Sequence, residues 1–336
     1  MKRNHFFTGL TAMAFLWSAC FFPAASPAQE APAQIGRSVR VVSIAFRPRP
    51  LEAIAPLVDS EGAKGADLIV LPETMLGQKQ PPQSLDGPAI TTMAGLARKQ
   101  HTYVVCALDR QDGTHRVNSA VLIDRTGRVV CVYDKVYPYW SEYDLKQPVE
   151  PRTKVPVYQA DFGRVGMAIC FDVNFPDVWK QLADQGAELV LWSSAYSAGS
   201  SLRAHAINHH FCIVSCTYAP DCSVFDITGE EALYEKGKDV QITRTTLDLD
   251  RGIYHTNFNV AKRDKLLKEH ADDVALEKMM ERESWFVLRA KRPGVSAREL
   301  ARRYGLEELR DYLDRSRREI DRMREQGTTW TAKASH

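Results

Sequence analysis

The chain has 336 residues, of which 44% are hydrophobic and 26% are charged. This composition is typical of globular proteins and excludes an intrinsically disordered chain, and the length allows one large domain or two of ordinary size. The formal net charge is only +2, so the average charge gives no reason to expect nucleic acid or an acidic surface as a partner.

The first 28 residues have the layout of a secretory signal peptide. Lys2 and Arg3 precede an apolar stretch, and the small residues 26–28 suit cleavage after Ala28. The alternative is an uncleaved membrane anchor, because the stretch 6–25 is just long enough to span a bilayer. We expect an exported protein, periplasmic or secreted, which contacts the membrane only if this segment is not removed.

Export affects the interpretation of the cysteines, because thiols can pair in an oxidising compartment. Cys216 and Cys222 are spaced so that a disulfide could close across a turn, but the sequence does not decide between paired and free thiols. The cysteines of the expected mature chain are Cys106, Cys131, Cys170, Cys212, Cys216 and Cys222.

Strands and helices alternate along residues 36–260. The predicted strands are 38–46, 67–73, 102–108, a pair within 116–135, 164–170, 188–194, 211–218 and 240–250. The predicted helices are 50–66, 88–100, 176–186 and 201–210. This order predicts a layered α/β domain in which helices cover the faces of sheets. From about residue 262 the chain becomes charged, and we predict a helical C-terminal extension over 261–336.

Three predicted strands end in residues that can carry out chemistry: Glu73, Lys135 and Cys170. Sites in α/β proteins gather beyond the carboxyl ends of strands. Taken singly, these residues could be a solvated turn residue, a surface lysine and a core thiol. Together they fit a mechanism, because a thiol needs a base, a carboxylate can serve as that base, and an ammonium can stabilise an oxyanion.

The same segments, in this order, resemble the three motifs of the nitrilase superfamily of carbon–nitrogen hydrolases. The matching stretches are LIVLPE (68–73), YDKVYPYWSE (133–142) and the segment 166–196 that begins GMAICFDVNFPD, and 116–130 is similar to the stretch that precedes the family's lysine. The resemblance covers roughly residues 38–250. It implies a four-layer α-β-β-α sandwich with no required cofactor, commonly paired into dimers, so we expect a homodimer or a higher homo-oligomer.

The resemblance also implies roles for individual residues. Glu73 would be the general base, Lys135 the oxyanion stabiliser, Cys170 the nucleophile, and the backbone N–H of Phe171 the second oxyanion donor. Glu142 is the candidate for a second glutamate found in many amidases. Asp172 would be a supporting residue, and Asn174 stands where many members have arginine, as in the aliphatic amidase branch.

Two departures bear on the substrate. Asn208 and His209 stand where the family usually has Glu-Asn, and Phe-Asp follows the cysteine instead of the Trp-Glu of true nitrilases. The resemblance therefore favours amide or ureido substrates over nitriles. The expected activity is hydrolysis through a cysteine thioester; the alternatives are an acyltransferase with the same residues or a non-catalytic binding protein that keeps the fold.

Two other patterns are set aside. His205 and His209, with Cys212 and Cys216 nearby, suggest zinc, but a change from helix to strand between them scatters the side chains, so no metal is expected. Residues 295–325 superficially resemble a helix-turn-helix. Their acidic and basic residues alternate at helical spacing, which indicates a solvated helix and not a DNA-binding face. We expect this segment to pack on the core or on a second subunit.

Overall fold

The computed structural model describes Met1 and residues 35–327. The predicted signal segment lies outside the described residues except for Met1, so export and cleavage after Ala28 stay predictions. Within the described part of the chain, no helix is long and apolar enough to cross a membrane.

The described residues form strands and helices in mixed order. The strands are β1 (Ser38–Phe46), β2 (Leu68–Val70), β3 (Tyr103–Asp112), β4 (His115–Ile123), β5 (Val129–Asp134), β6 (Val157–Gln159), β7 (Arg164–Ile169), β8 (Leu189–Ser194), β9 (Cys212–Thr217), β10 (Asp221–Phe225), β11 (Glu231–Lys236), β12 (Val240–Asp248), β13 (Gly252–His255), β14 (Val274–Met280) and β15 (Trp285–Ala290). The helices are α1 (Leu51–Ala63), α2 (Pro88–Gln100), α3 (Trp140–Tyr143), α4 (Pro176–Asp184), α5 (Gly199–His209), α6 (Thr256–Glu269), α7 (Ala297–Arg303) and α8 (Leu309–Gln326), and 3₁₀ turns cover Cys170–Asn174 and Glu281–Glu283.

Two six-stranded sheets form the centre of the fold. Their strand orders are β12-β1-β2-β3-β4-β5 and β11-β10-β9-β8-β7-β6. In the first sheet β1, β2 and β3 run parallel, and in the second β7, β8 and β9 do. The sheets touch directly: the Ser43 hydroxyl on β1 donates to the Ser215 carbonyl on β9 at 2.8 Å.

Helices cover the outer faces of both sheets. Alternate residues of β1 point to opposite faces, as strand geometry requires: Val41 lies in the core between the sheets, and Ile44 lies in the core under α1 and α2. Trp179 of α4 and Leu202 of α5 pack against the second sheet. The predicted four-layer α-β-β-α sandwich is therefore confirmed.

The C-terminal extension contains the predicted helices, and it also contains two strands that the sequence analysis does not predict. Strands β14 and β15 pair with β13 in a third sheet. Of the residues of β14, only Val274 is buried, and the rest of this strand is rich in charge and methionine. Such a composition has no clear two-residue period, so it is easily mistaken for a solvated helix.

The extension packs on the second sheet, which is one of the two arrangements we expected. The Arg310 guanidinium donates to the carbonyls of Ala187 and His210 at 2.9 and 2.6 Å, and Arg298 pairs with Glu188 at 2.5 Å. Leu309 is buried in the main core. The six cysteines are free thiols, so the Cys216–Cys222 disulfide that the spacing allowed is not formed.

We expect Leu309→Ala to lower the free energy of unfolding by about 2–5 kcal/mol, because it removes a buried side chain that joins α8 to the core. Leu313 lies on the same helix but is 46% exposed, against 1% for Leu309. Leu313→Ala should therefore change stability by no more than about 0.5 kcal/mol. Urea denaturation of both variants measures this, and equal small effects would show that α8 does not stabilise the domain.

Candidate active site

The structure brings Glu73 and Lys135 into direct contact beyond the carboxyl ends of β2 and β5, which lie at the same edge of the first sheet. Glu73 follows β2 within one short turn, and Lys135 follows β5 immediately. Both side chains are buried, and the Lys135 ammonium donates to Glu73 Oε1 at 2.8 Å. Two of the three residues predicted from strand ends therefore form a buried ion pair.

Cys170 directly follows β7 and has a backbone conformation that residues with a side chain rarely adopt. Its φ is 46°, in the left-handed region that favours glycine. Such a residue persists only where the surroundings hold it, and it is characteristic of functional sites. Here the indole N–H of Trp192 donates to the Cys170 carbonyl at 3.1 Å and fixes the turn. Phe171 follows as the second residue of the 3₁₀ turn, a position whose N–H has no partner within the turn.

Glu142 completes the carboxylate cluster. It lies on the single-turn helix α3, is 1% exposed, and accepts from the Lys135 ammonium at 2.5 Å. The backbone N–H of Tyr139 donates to the same carboxylate oxygen at 2.7 Å. Glu142, the candidate for the second glutamate, therefore lies in direct contact with Lys135.

One residue of this cluster was missed by sequence reasoning. The amide of Asn118, on β4, donates to Glu73 Oε1 and to Glu142 Oε1, each at 2.8 Å. It is completely buried. The available signal was an asparagine between Val117 and Ser119 in a strand that ends in a long apolar run, because polar groups buried in such a strand have partners.

Burial and charge act oppositely on the two titratable groups at the centre. Burial lowers the pKa of Lys135, but Glu73, Cys170 and Glu142 outweigh it and hold that pKa above the usual value. Burial, and then the charge of Glu73, raise the pKa of the Cys170 thiol well above its ordinary range, although Lys135 opposes them. The lysine is therefore cationic and Cys170 is a neutral thiol at neutral pH, so nucleophilic attack requires a base.

Asp172 fixes the turn that carries Cys170. Its carboxylate accepts from the Tyr133 hydroxyl at 2.6 Å and from the backbone N–H groups of Tyr137 and Ile169 at 2.9 and 3.0 Å. Burial raises the pKa of this carboxyl to about 6, even though these donors and Lys135 favour the ionised form. These three bonds join the turn of Cys170 to β5, to the loop that follows Lys135 and to the end of β7.

Asn174 lies apart from the carboxylates and is exposed. Its amide donates to the Phe171 carbonyl at 3.1 Å and to the Tyr196 hydroxyl at 3.4 Å. Phe171 also contacts the ring of Tyr139 with centroids 5.2 Å apart. The exposed side of the Cys170 turn is therefore bordered by aromatic rings and an amide.

The histidines that suggested zinc are involved in packing. The ring of His205 stacks on Trp179 with centroids 4.2 Å apart, and its Nε2 lies 2.8 Å from the Val173 carbonyl. Burial lowers the pKa of His209 to about 4. Within the described residues, no group of three or more histidine, cysteine or acidic side chains is arranged to hold a metal ion.

The model of the carbon–nitrogen hydrolase family matches residues 49–237. The chain belongs to this family of the nitrilase superfamily. The match includes the strand ends that carry the glutamate, the lysine and the cysteine, and the enzyme is a carbon–nitrogen hydrolase.

Curated relatives are distant but cover much of the chain. This hydrolase is 27% identical to the "hydrolase in pqqF 5'region" of Pseudomonas protegens, over 64% of this chain and 88% of that protein. It is 25% identical to a citrullinase of Francisella tularensis, over 79% of this chain and 98% of the relative.

Solved structures share the fold. An amidase from Nesterenkonia sp. matches with a TM-score of 0.56 and 21% identity, over 66% of this chain and 94% of that one. A glutamate-to-glutamine mutant of the Nesterenkonia sp. AN1 amidase matches with a TM-score of 0.58 and 21% identity, over 72% and 100% of the two chains. That structure shows covalent addition of the acetamide moiety of fluoroacetamide at its active-site cysteine.

We expect Tyr133→Phe to destabilise the hydrolase by about 1–3 kcal/mol at pH 7.5, because a buried carboxylate loses a donor. The pKa of Asp172 in the folded state, about 6, lies above the usual unfolded value, so this carboxyl favours folding less as pH rises through 4–6. Losing the donor raises that pKa further. The destabilisation should therefore be larger at pH 7.5 than at pH 4.5.

Urea denaturation at the two pH values measures the effect. Tyr137→Phe is the matched control, since among the described residues its hydroxyl bonds only the exposed Asp177. An equal loss for both tyrosines, or a loss that does not depend on pH, would contradict the role given to Asp172.

Proposed function

We propose that this hydrolase cleaves an amide or ureido carbon–nitrogen bond through a thioester on Cys170. The observation that supports this most is the buried contact of Lys135 with two carboxylates, Glu73 at 2.8 Å and Glu142 at 2.5 Å, next to a cysteine with left-handed backbone. A neutral thiol, a nearby ionised carboxylate and a fixed cation are the groups that acyl transfer through sulfur requires.

In the first half-reaction Glu73 takes the proton of the Cys170 thiol as the sulfur attacks the carbonyl carbon. The oxyanion of the tetrahedral intermediate is stabilised by the Lys135 ammonium and the backbone N–H of Phe171. The intermediate collapses, the C–N bond breaks, and Glu73 passes its proton to the leaving ammonia or amine. The product is a thioester on Cys170.

In the second half-reaction water replaces the amine. Glu73 takes a proton from water as the water oxygen attacks the thioester carbon, the C–S bond breaks, and the proton returns to the Cys170 sulfur. The acid is released and the resting enzyme is restored. Glu142 orients the substrate or holds Lys135 in place, because its carboxylate is bound on both oxygens by protein donors.

The substrate class rests on the residues after Cys170 and on the relatives. A citrullinase and an N-carbamoylputrescine amidase are among the curated relatives, and a Nesterenkonia sp. AN1 amidase was solved with acrylamide. These names favour amide and ureido substrates. A screen for ammonia release over small amides, N-carbamoyl compounds and nitriles distinguishes the classes, and exclusive nitrile turnover would contradict the proposal.

An acyltransferase would use the same first half-reaction, with an amine in place of water in the second. Product analysis in the presence of competing amines separates the two activities. The homo-oligomer expected from the family stays a prediction, as does the absence of a cofactor.

We expect Cys170→Ala to abolish turnover without loss of fold.

Glu73→Gln should form little or no acyl-enzyme, because general acid–base catalysis is typically worth about 10²–10⁴-fold. Glu142→Gln keeps size and hydrogen bonding, so it should still acylate Cys170, with weaker binding or slower deacylation. Intact-protein mass spectrometry after mixing with an ester or amide substrate reads the acylation directly. If Glu73→Gln acylates at the wild-type rate and Glu142→Gln does not, the roles are reversed.

A further inference from the structure

We infer that Asn118 is a positioning residue of this active site: its side-chain amide holds the carboxylates of Glu73 and Glu142 in place beside Lys135. The inference rests on the proposed function, because it gives Asn118 its effect through Glu73. It concerns a residue on β4, away from the strand ends on which sites of this kind are usually sought.

The geometry uses both hydrogens of the amide. Nδ2 donates to Glu73 Oε1 and to Glu142 Oε1, each at 2.8 Å, and an amide nitrogen has two hydrogens to give. The backbone of the same residue also places the lysine, because the Lys135 N–H donates to the Asn118 carbonyl at 2.8 Å. One residue of β4 therefore fixes three members of the cluster relative to one another.

The two glutamates do not depend on Asn118 equally. Glu142 also accepts from Lys135 and from the Tyr139 N–H. Within the described residues, the hydrogen bonds to the Glu73 carboxylate come from Lys135 and Asn118 alone. Loss of the amide therefore leaves Glu73 with one donor, and that donor is shared with a second carboxylate.

The charges explain why a neutral donor is needed at this position. Lys135 carries one positive charge against two carboxylates, and like charges close together oppose each other's ionisation. A second lysine would compete with the first for the carboxylates, and an apolar residue would leave the oxygens without a donor. An amide stabilises both ionised carboxylates and adds no charge.

The carbonyl oxygen of the Asn118 side chain indicates that stability alone does not account for an asparagine at this position. Asn118 Oδ1 is buried and has no partner within the described residues. An unpartnered buried carbonyl destabilises a fold, and turning the amide over would place that carbonyl against two carboxylates. The fold tolerates the unpartnered carbonyl because the same amide donates to both glutamates, and such destabilising features are typical of functional sites.

The groups that titrate around this amide come from several elements. Besides the two glutamates and Lys135, they are Cys170 after β7 and the ion pair of Asp109 on β3 with Arg116 on β4. Asp109 stands opposite Asn118 in the strand register, and burial raises its pKa to about 6. A pH profile of the site therefore has to be compared with that of a control variant that leaves all of these groups in place.

The test is the rate at which iodoacetamide alkylates Cys170 in the full-length protein between pH 5 and 9, followed by intact-protein mass spectrometry. Asn118→Leu removes both donors, and Asn118→Asp keeps the shape but adds a third negative charge. Ser119→Ala is the control, because Ser119 is the next residue of β4 but its hydroxyl bonds Arg110 and Asp134 instead. The assay needs no knowledge of the natural substrate.

We expect Asn118→Leu to slow alkylation at pH 7 by about tenfold or more, a part of the effect of losing general base catalysis. In a plot of alkylation rate against pH, the rise on the acid side should move to higher pH in this variant, since a carboxylate that loses a donor has a raised pKa. Asn118→Asp should move this rise further. If Asn118→Leu does not fold, the Asp variant alone decides the matter.

Two results would overturn the inference. One is a profile for the Asn118 variants that coincides with that of Ser119→Ala. The other is a uniform fall in rate with no movement of the rise on the acid side, which would indicate a merely structural residue. If the alkylation results are as expected but no amide or ureido compound is hydrolysed, the proposed function fails while the role of Asn118 stands.

Discussion

The structure of this hydrolase depends on one buried cation shared by two carboxylates. Lys135 is 1% exposed and donates to Glu73 and Glu142 at once. A buried charge is costly unless it is paired and its remaining donors are satisfied. Glu73 follows β2, Lys135 follows β5 and Glu142 lies on α3. The first sheet and the loop after β5 must therefore be packed correctly before the charge of the cation is compensated.

In the proposed mechanism the second sheet contributes the nucleophile. Cys170 stands at the end of β7, and its left-handed backbone is held by Trp192 and by the buried carboxylate of Asp172. Burial and the charge of Glu73 raise the pKa of the Cys170 thiol. The thiol is therefore neutral before it reacts. The proposed chemistry therefore depends on Glu73, the base that we propose, which the first sheet holds in place.

Sequence reasoning found the residues that end strands and missed one that lies inside a strand. Glu73, Lys135 and Cys170 stand at the ends of apolar runs, where functional residues are expected. The family resemblance then implies a role for each of them. Asn118 lies within β4, and its hydrogen-bond partners Glu73 and Glu142 come from distant parts of the sequence. They reach Asn118 only when the first sheet and α3 are folded. Its place in the cluster follows from tertiary contacts and not from local pattern.

The same limit applies to the fold. Strand β1 and helix α2 were predicted with the bounds that the structure has, because both show clear periodicity and clear ends. The sequence predicts helix where the structure has strand β14, since charged residues on a solvated strand do not show the alternation that burial imposes. Strand β15 is instead a short, mostly buried apolar run, and periodicity alone does not distinguish such a run from a buried segment of helix. The free state of Cys216 and Cys222 likewise depends on where the packing places their side chains.

The most direct measurement of the central claim is the free energy of unfolding of Lys135→Met at pH 7.5, compared with the triple variant Lys135→Met, Glu73→Gln, Glu142→Gln. Removing one partner of a buried ion pair typically costs about 3–5 kcal/mol, whereas replacing all members by neutral residues of similar size is often close to neutral. We predict that Lys135→Met is strongly destabilised and that the triple variant regains most of the loss. A triple variant no more stable than Lys135→Met would contradict the view that the shared cation holds two buried carboxylates.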